Sequence, residues 1–189
     1  MRLLSCFNQG EFEIHGERPF ADGACLKLSH EWLLLREVGR RFMGGLLKTE
    51  QIKQDQGTYL ASADKVLNAK RLSPDDAAHG VSKMTEFALN GWGRGSRYRF
   101  DPGLRDFAAF FALGERAHGV VGVYGTTADG ARWAHALGIA GGSVLFDANN
   151  GEWELDGPKA QDLKIHCEHK VAFMEGDQIF AVHFIVRQA

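Results

Sequence analysis

The chain is poor in cysteine. Cys6, Cys25 and Cys167 are the only three in 189 residues, too few and odd in number for a disulfide framework, so they are read as reduced thiols. It has no apolar run of about 18 residues, so no membrane-spanning helix is expected. Charge of one sign is also missing: 22 Lys+Arg face 24 Asp+Glu, for a net charge of −2, with no basic half and no acidic tail. Nucleic acid and acidic membranes are therefore not favoured as partners. The opening "MRLLSCFNQGEF" turns polar by Asn8, too soon for the apolar stretch of a secretory signal, so no Sec signal peptide is expected. Internal repeats and low-complexity segments are absent, as are His-Glu-x-x-His, Gly-x-Ser-x-Gly and the P-loop signature. "GWGRG" and "GVVGVYG" are rich in glycine but lack the strand–loop–helix setting of a nucleotide site. No cofactor is expected.

What remains is an ordinary globular composition, 44% apolar and 24% charged, in a length that suits one domain. The first half reads as helices. Asp22 is a plausible N-cap for a helix from about Gly23 to Met43, stopped by Gly44 and Gly45, with Cys25, Leu28, Trp32, Leu35 and Phe42 on one stripe. A shorter helix is expected over Ser62–Ala69. Ser73 with Pro74, and Asp101 with Pro102, each mark a helix start, the first helix ending at Gly91. Phe107, Phe110 and Phe111 read as core. "NGWGRGSRYRF" (90–100) reads as a solvated loop or, more sharply, as a loop facing substrate.

The second half changes period. "HGVVGVYG", "RWAHALGIA", "SVLFDANNGEWEL" and "QIFAVHFIVRQ" are short, β-branched or aromatic, and bounded by turn residues. Residues 158–174 form a further expected helix. Helices first and strands later predict an α+β fold, a helical part over about 22–114 packed on an antiparallel sheet over about 118–189.

Cys25 is either a small packed residue opening a core helix or a nucleophile in the positive end of the helix dipole. A partner decides between them. "GGS" (141–143) is a hairpin turn, which sets Asp147 opposite residues 135–137 and within reach of the His135 imidazole. An aspartate there fixes the histidine tautomer and leaves the other ring nitrogen to act on a thiol. The order Cys…His…Asp, nucleophile on an early helix and partners on a later sheet, is the papain-like layout. "HCEH" (166–169) is the one metal-like cluster; on a helix His166 and His169 would share a face, but further ligands at matching spacing are missing, so no metal is expected.

"GACLKLSHEWL" resembles the Gly-x-Cys-x-x-Leu-Ser-x-x-Trp-Leu signature of the YopT/AvrPphB-type cysteine peptidases. "HALGIAGGSVLFDANNGEW" resembles that family's His-Ala segment and its Phe-Asp-x-Asn-x-Gly segment, and "CFNQGEF" is similar to a short element upstream of its cysteine. The resemblance implies a papain-like peptidase with Cys25 as nucleophile, His135 as base and acid, and Asp147 as the orienting residue. It also implies a bacterial effector or toxin, made in the bacterial cytoplasm, exported to the host cell cytoplasm and acting there on a protein substrate such as a host signalling protein. Papain-like enzymes place an amide side chain just before the cysteine to bind the oxyanion; residues 17–21 here read "ERPFA". Gln9, then Asn8, are the nearest upstream amides, and the Cys25 backbone N–H is the other natural donor. A deamidase or transglutaminase-like acyl-transfer enzyme, and a non-catalytic binding module, are the alternatives on the same scaffold.

Overall fold

The computed structural model describes residues 1–13, 17, 18, 20, 24–42, 48–93, 95, 97–172 and 176–188. In chain order these form β1 (Arg2–Ser5), α1 (Cys25–Glu37), α2 (Thr49–Leu67), α3 (Pro74–Trp92), β2 (Arg97–Phe100), α4 (Phe107–Phe111), β3 (Gly119–Thr126), β4 (Arg132–Ala140), β5 (Val144–Asp147), β6 (Gly151–Glu154), α5 (Lys159–His166) and β7 (Gln178–Gln188). The seven strands make one sheet in the order β1-β6-β5-β4-β3-β7-β2, with every pairing antiparallel. The architecture is α+β. It is not cleanly divided at residue 118, because β1 and β2 come from the first part of the chain and close the two edges of the sheet.

Two expected strands stand as read, β4 over "RWAHALGIA" and β7 over "QIFAVHFIVRQ", whereas "SVLFDANNGEWEL" is divided into β5 and β6. β4 and β7 both carry branched or aromatic residues, and the one glycine inside β4 is Gly138. The chain turns between β4 and β5 at Gly141 and Gly142, with φ of 55° and 59°. Ser73 caps α3 by accepting the Asp76 N–H at 3.1 Å, and Pro74 opens the helix.

Other expectations are corrected. The cap Asp22 and the stop Gly44–Gly45 lie outside the described residues, and α1 ends earlier, at Glu37. Gly39 takes φ 67°, and its N–H and that of Arg40 return to the Arg36 and Leu35 carbonyls at 3.0 and 2.8 Å, closing the helix as a Schellman motif. Phe42 is thus beyond the helix and packs on Phe146, centroids 4.8 Å apart. α2 begins at Thr49, not Ser62, because its weak apolar face rests on α3. Asp101 and Pro102 shape a turn, and the cap of α4 is Asp106, which accepts the Ala109 N–H at 2.7 Å. Residues 97–100 are no loop. Tyr98 and Phe100 are buried, β2 pairs with β7, and Asn90 holds both the N–H and the C=O of Tyr98. This strand lies three places from β4 in the sheet.

Helix α1 lies on β4. Trp32 seats over Gly138, where a β-carbon would fall 2.8 Å from the indole ring, and stacks on Phe146 at 5.4 Å. Any side chain at 138 would lift the helix from the sheet. That close seat fixes how far the start of α1 reaches along β4.

Candidate active site

Strand β4 outruns its neighbour. It pairs with β3 from Arg132 to Ile139 but with β5 only from Leu137 to Ala140. The edge before Leu137 is therefore open, and its backbone groups need other partners. The start of α1 supplies them. Ser29 Oγ donates to the Ala136 carbonyl at 3.2 Å, and the Cys25 thiol lies close enough to the Ala136 backbone to be stabilised by it as a thiolate. Cys25, the first residue of α1, is thereby held against the strand that carries His135. A buried lysine holds the helix from its other side. Lys27, 4% exposed, pairs with Asp55 at 2.9 Å and Glu31 at 3.1 Å and lies 4.7 Å from the Trp92 ring centroid.

The hairpin sets Asp147 opposite Leu137, inside the expected range, and the period of two places His135, Leu137 and Asp147 on one face. His135 Nε2 donates to Asp147 Oδ1 at 2.9 Å, which leaves Nδ1 free on the side of Cys25, whose charge acts on the ring. The three sequence-selected residues are thus brought together. Cys25 is half-buried and His135 is 10% exposed.

Burial alone pushes the Cys25 thiol up, but the His135 charge, its hydrogen bond and the Ala136 N–H outweigh it and bring the thiol below its ordinary range. Burial likewise pulls His135 down, and the charges of Asp147 and Cys25 overcome this and raise it to about 10. Both shifts favour the charged forms, thiolate and imidazolium, over the neutral pair. Asp147, with no exposed surface, would be raised by burial; His135 and His166 hold it well below the usual carboxylate range.

Asp147 accepts more than the sequence foretold. Oδ1 also takes the Asn149 N–H at 2.9 Å, and Oδ2 takes Asn150 Nδ2 and His166 Nε2, each at 2.8 Å. An ionised carboxylate only accepts, so both histidines donate to it. This corrects the reading of "HCEH". His166 is buried on Asp147, the backbone widens into a π-turn over Cys167–Val171, Cys167 is buried and His169 is exposed, so the histidines do not share a face. Among the described residues no group of three His, Cys, Asp or Glu side chains could hold a metal ion. No local pattern marks His166 as a partner of Asp147, because α5 meets the sheet only in the folded chain.

Gln9 lies beside the start of α1. Its Oε1 accepts the Ala24 N–H at 2.7 Å, its Nε2 donates to Asn149 Oδ1 at 2.7 Å, and its backbone N–H reaches the Ala148 carbonyl at 2.7 Å. Residues 147–150 thus brace His135 through Asp147 and Gln9 through Asn149. Asn8 is placed differently, its Oδ1 accepting the Gly10 N–H of its own turn at 3.0 Å.

No protein-family profile matches the chain, and no curated protein matches it significantly. Among solved structures it is similar to the crystal structure of the Pseudomonas avirulence protein AvrPphB, with 16% sequence identity and a TM-score of 0.48 over 95% of this chain and 99% of that one. No helix among the described residues is long and apolar enough to cross a membrane.

The electrostatics carry a direct test. At pH 6 iodoacetamide should modify Cys25 ahead of the exposed Cys6, and buried Cys167, whose thiol burial pushes up, should stay unmodified, as read by peptide mass. In His135→Ala the Cys25 reaction should move to higher pH, because the main opposition to burial, the His135 charge, is gone. Equal labelling of Cys6 and Cys25 at pH 6 would contradict an activated thiol.

Proposed function

We propose that this protein is a papain-like cysteine peptidase that hydrolyses an amide bond in a protein substrate. The observation that carries the reading is the pairing of a pKa-lowered thiol at a helix N-terminus with an imidazole whose far nitrogen is held by a buried carboxylate. The Cys25 thiolate attacks the carbonyl carbon, and the C=O electron pair moves to oxygen. The Cys25 backbone N–H and the Gln9 amide, both at the start of α1, are the proposed donors to that oxyanion. His135 gives its Nδ1 proton to the departing amine as the C–N bond breaks and a thioester forms. Nδ1 then takes a proton from water, the hydroxide adds to the thioester, and the thiolate leaves. Asp147 keeps the ring oriented and stays ionised throughout.

The motif resemblance extends the proposal to an effector or toxin, made in the bacterial cytoplasm, exported, and acting on a host protein. Incubation with a mixture of host proteins, followed by mass spectrometry of new N-termini, tests the activity. New termini that disappear when Cys25 is alkylated beforehand are expected. A gain of about one mass unit on glutamine without a cut would mark deamidation on the same scaffold instead. Neither change would leave a protein that does no acyl transfer, and the proposal would be withdrawn.

A further inference from the structure

A chain of hydrogen bonds runs from the base to the start of the nucleophile helix, away from the reacting atoms. His135 Nε2 and the Asn149 N–H both donate to Asp147 Oδ1, each at 2.9 Å. Asn149 Oδ1 then accepts Gln9 Nε2, and Gln9 Oε1 accepts the N–H of Ala24, the residue bonded to Cys25, each at 2.7 Å. The Ala24 N–H can only donate, so Gln9 turns its oxygen to Ala24 and its nitrogen to Asn149, and Asn149 turns its oxygen to Gln9. Asn149 is the member that joins the two halves, with its backbone on the carboxylate and its side chain on the amide.

Gln9 comes to this place on a segment that crosses the turn between β5 and β6. The chain leaving β1 passes so close to it that a β-carbon on Gly151, where φ is 94°, would fall 2.2 Å from the Ser5 carbonyl oxygen. The Phe7 ring then packs on those of Phe12, Phe42 and Phe146, with centroids 5.4, 5.2 and 5.9 Å away. The Gln9 N–H reaches the Ala148 carbonyl, and the residue is 7% exposed. An amide tied at its oxygen alone can swing about that bond; tied at its nitrogen as well, its plane is fixed. A primary amide nitrogen carries two hydrogens. Asn149 takes one, and by taking it sets where the second points.

We propose that Asn149 is a positioning residue for acyl transfer: its side-chain carbonyl aims the second Gln9 Nε2–H at the oxyanion, and its seat on the Asp147 turn keeps that donor aligned with His135. The proposal rests on the peptidase reading above, in which Gln9 is an oxyanion donor. It makes the turn after β5 responsible for both the base and the oxyanion donor, although only Asp147 touches a reacting residue.

The test compares two reactions of Cys25 in each protein at pH 6. Iodoacetamide alkylates the thiolate by displacing iodide, and no oxyanion forms. p-Nitrophenyl acetate acetylates it: the thiolate adds to the ester carbonyl, the C=O pair moves to oxygen, and p-nitrophenolate then leaves with the C–O electron pair to give the acetyl thioester. The second rate is the p-nitrophenol release that prior alkylation of Cys25 abolishes. The ratio of acetylation to alkylation thus reads oxyanion stabilisation apart from thiolate content. Gln9→Ala should lower the ratio by about 10²-fold, the scale of one lost oxyanion donor. Asn149→Ala should lower it by about tenfold, and Asn149→Ser, whose hydroxyl is too short to span to Gln9, should do the same. Adding Asn149→Ala to Gln9→Ala should change nothing further, because the group it acts through is already gone. An unchanged ratio in the Asn149 variants or in Gln9→Ala, or a loss in the double variant that multiplies the two single losses, would overturn the proposal and leave the peptidase reading standing. If the unsubstituted protein gives no p-nitrophenol release that alkylation of Cys25 abolishes, both readings fall.

Discussion

Cys25→Ala is expected to abolish substrate hydrolysis, with kcat falling by about 10⁶-fold, as when the nucleophile of a triad enzyme is removed. The fold should survive. Cys25 is half-buried at the edge of the core and contributes one small side chain at the first position of α1, and a truncation of that size costs about 1 kcal/mol. The anchors of α1 lie elsewhere, in Trp32 over Gly138, Ser29 on the Ala136 carbonyl and Lys27 between Asp55 and Glu31. Rate and melting temperature measured on the same preparation separate the two effects. A variant that keeps its rate would show that the nucleophile is another group, and one that unfolds would show that the thiol is part of the scaffold.

The second large effect is at Asp147. Its carboxylate is fully buried and takes four donors, from His135, His166, Asn150 and the Asn149 backbone. Asp147→Ala leaves all four without an acceptor, and the loss of a buried charge partner costs about 3–5 kcal/mol. Asp147→Asn keeps the volume but puts an NH₂ group where two donors already point, which turns His135 toward the wrong tautomer; kcat should fall by about 10⁴-fold. The two substitutions therefore divide the residue's work, alanine reading mainly in stability and asparagine mainly in rate.

The same contacts predict how stability varies with pH. The folded pKa of Asp147 lies below its unfolded value, so its contribution is complete above about pH 3.9 and is lost as pH falls from there toward the folded value. His135 is raised to about 10, so its contribution is complete below an unfolded value of about 6.5 and is lost as pH rises through 10. Urea denaturation should show a plateau between about pH 4 and 6.5 with a decline on each side, and both declines should be shallower in Asp147→Asn. Parallel pH profiles for the two proteins would refute the Asp147–His135 linkage.

Much of this site is written locally. The hairpin at Gly141–Gly142 follows from turn chemistry, and with a side-chain period of two it determines which residues Asp147 can face, so His135 and Asp147 could be paired from the sequence. The alternation of β4 and β7 is equally local. Where local signals were weak or competed, the expectation missed. The four residues of β2 are flanked by glycines and stand as a strand only because β7 offers them an edge. α2 extends thirteen residues beyond its expected start, since tertiary contact with α3 holds what its own amphipathicity does not.

The sequence by itself therefore determined the α+β class, the hairpin and the candidacy of Cys25, His135 and Asp147, because each follows from interactions between residues near one another in the chain. Only the tertiary structure decided that the thiol comes beside the ring: that depends on β5 ending opposite Leu137 and on Ser29 of α1 taking up the Ala136 carbonyl in its place. It also decided the second histidine on Asp147 and the hold of Gln56 on the Lys27 N–H, contacts made by α5 and α2 with partners 19 and 29 residues away. Such contacts arise when separate elements are packed to bury their apolar faces, and no periodicity within one element encodes its neighbour.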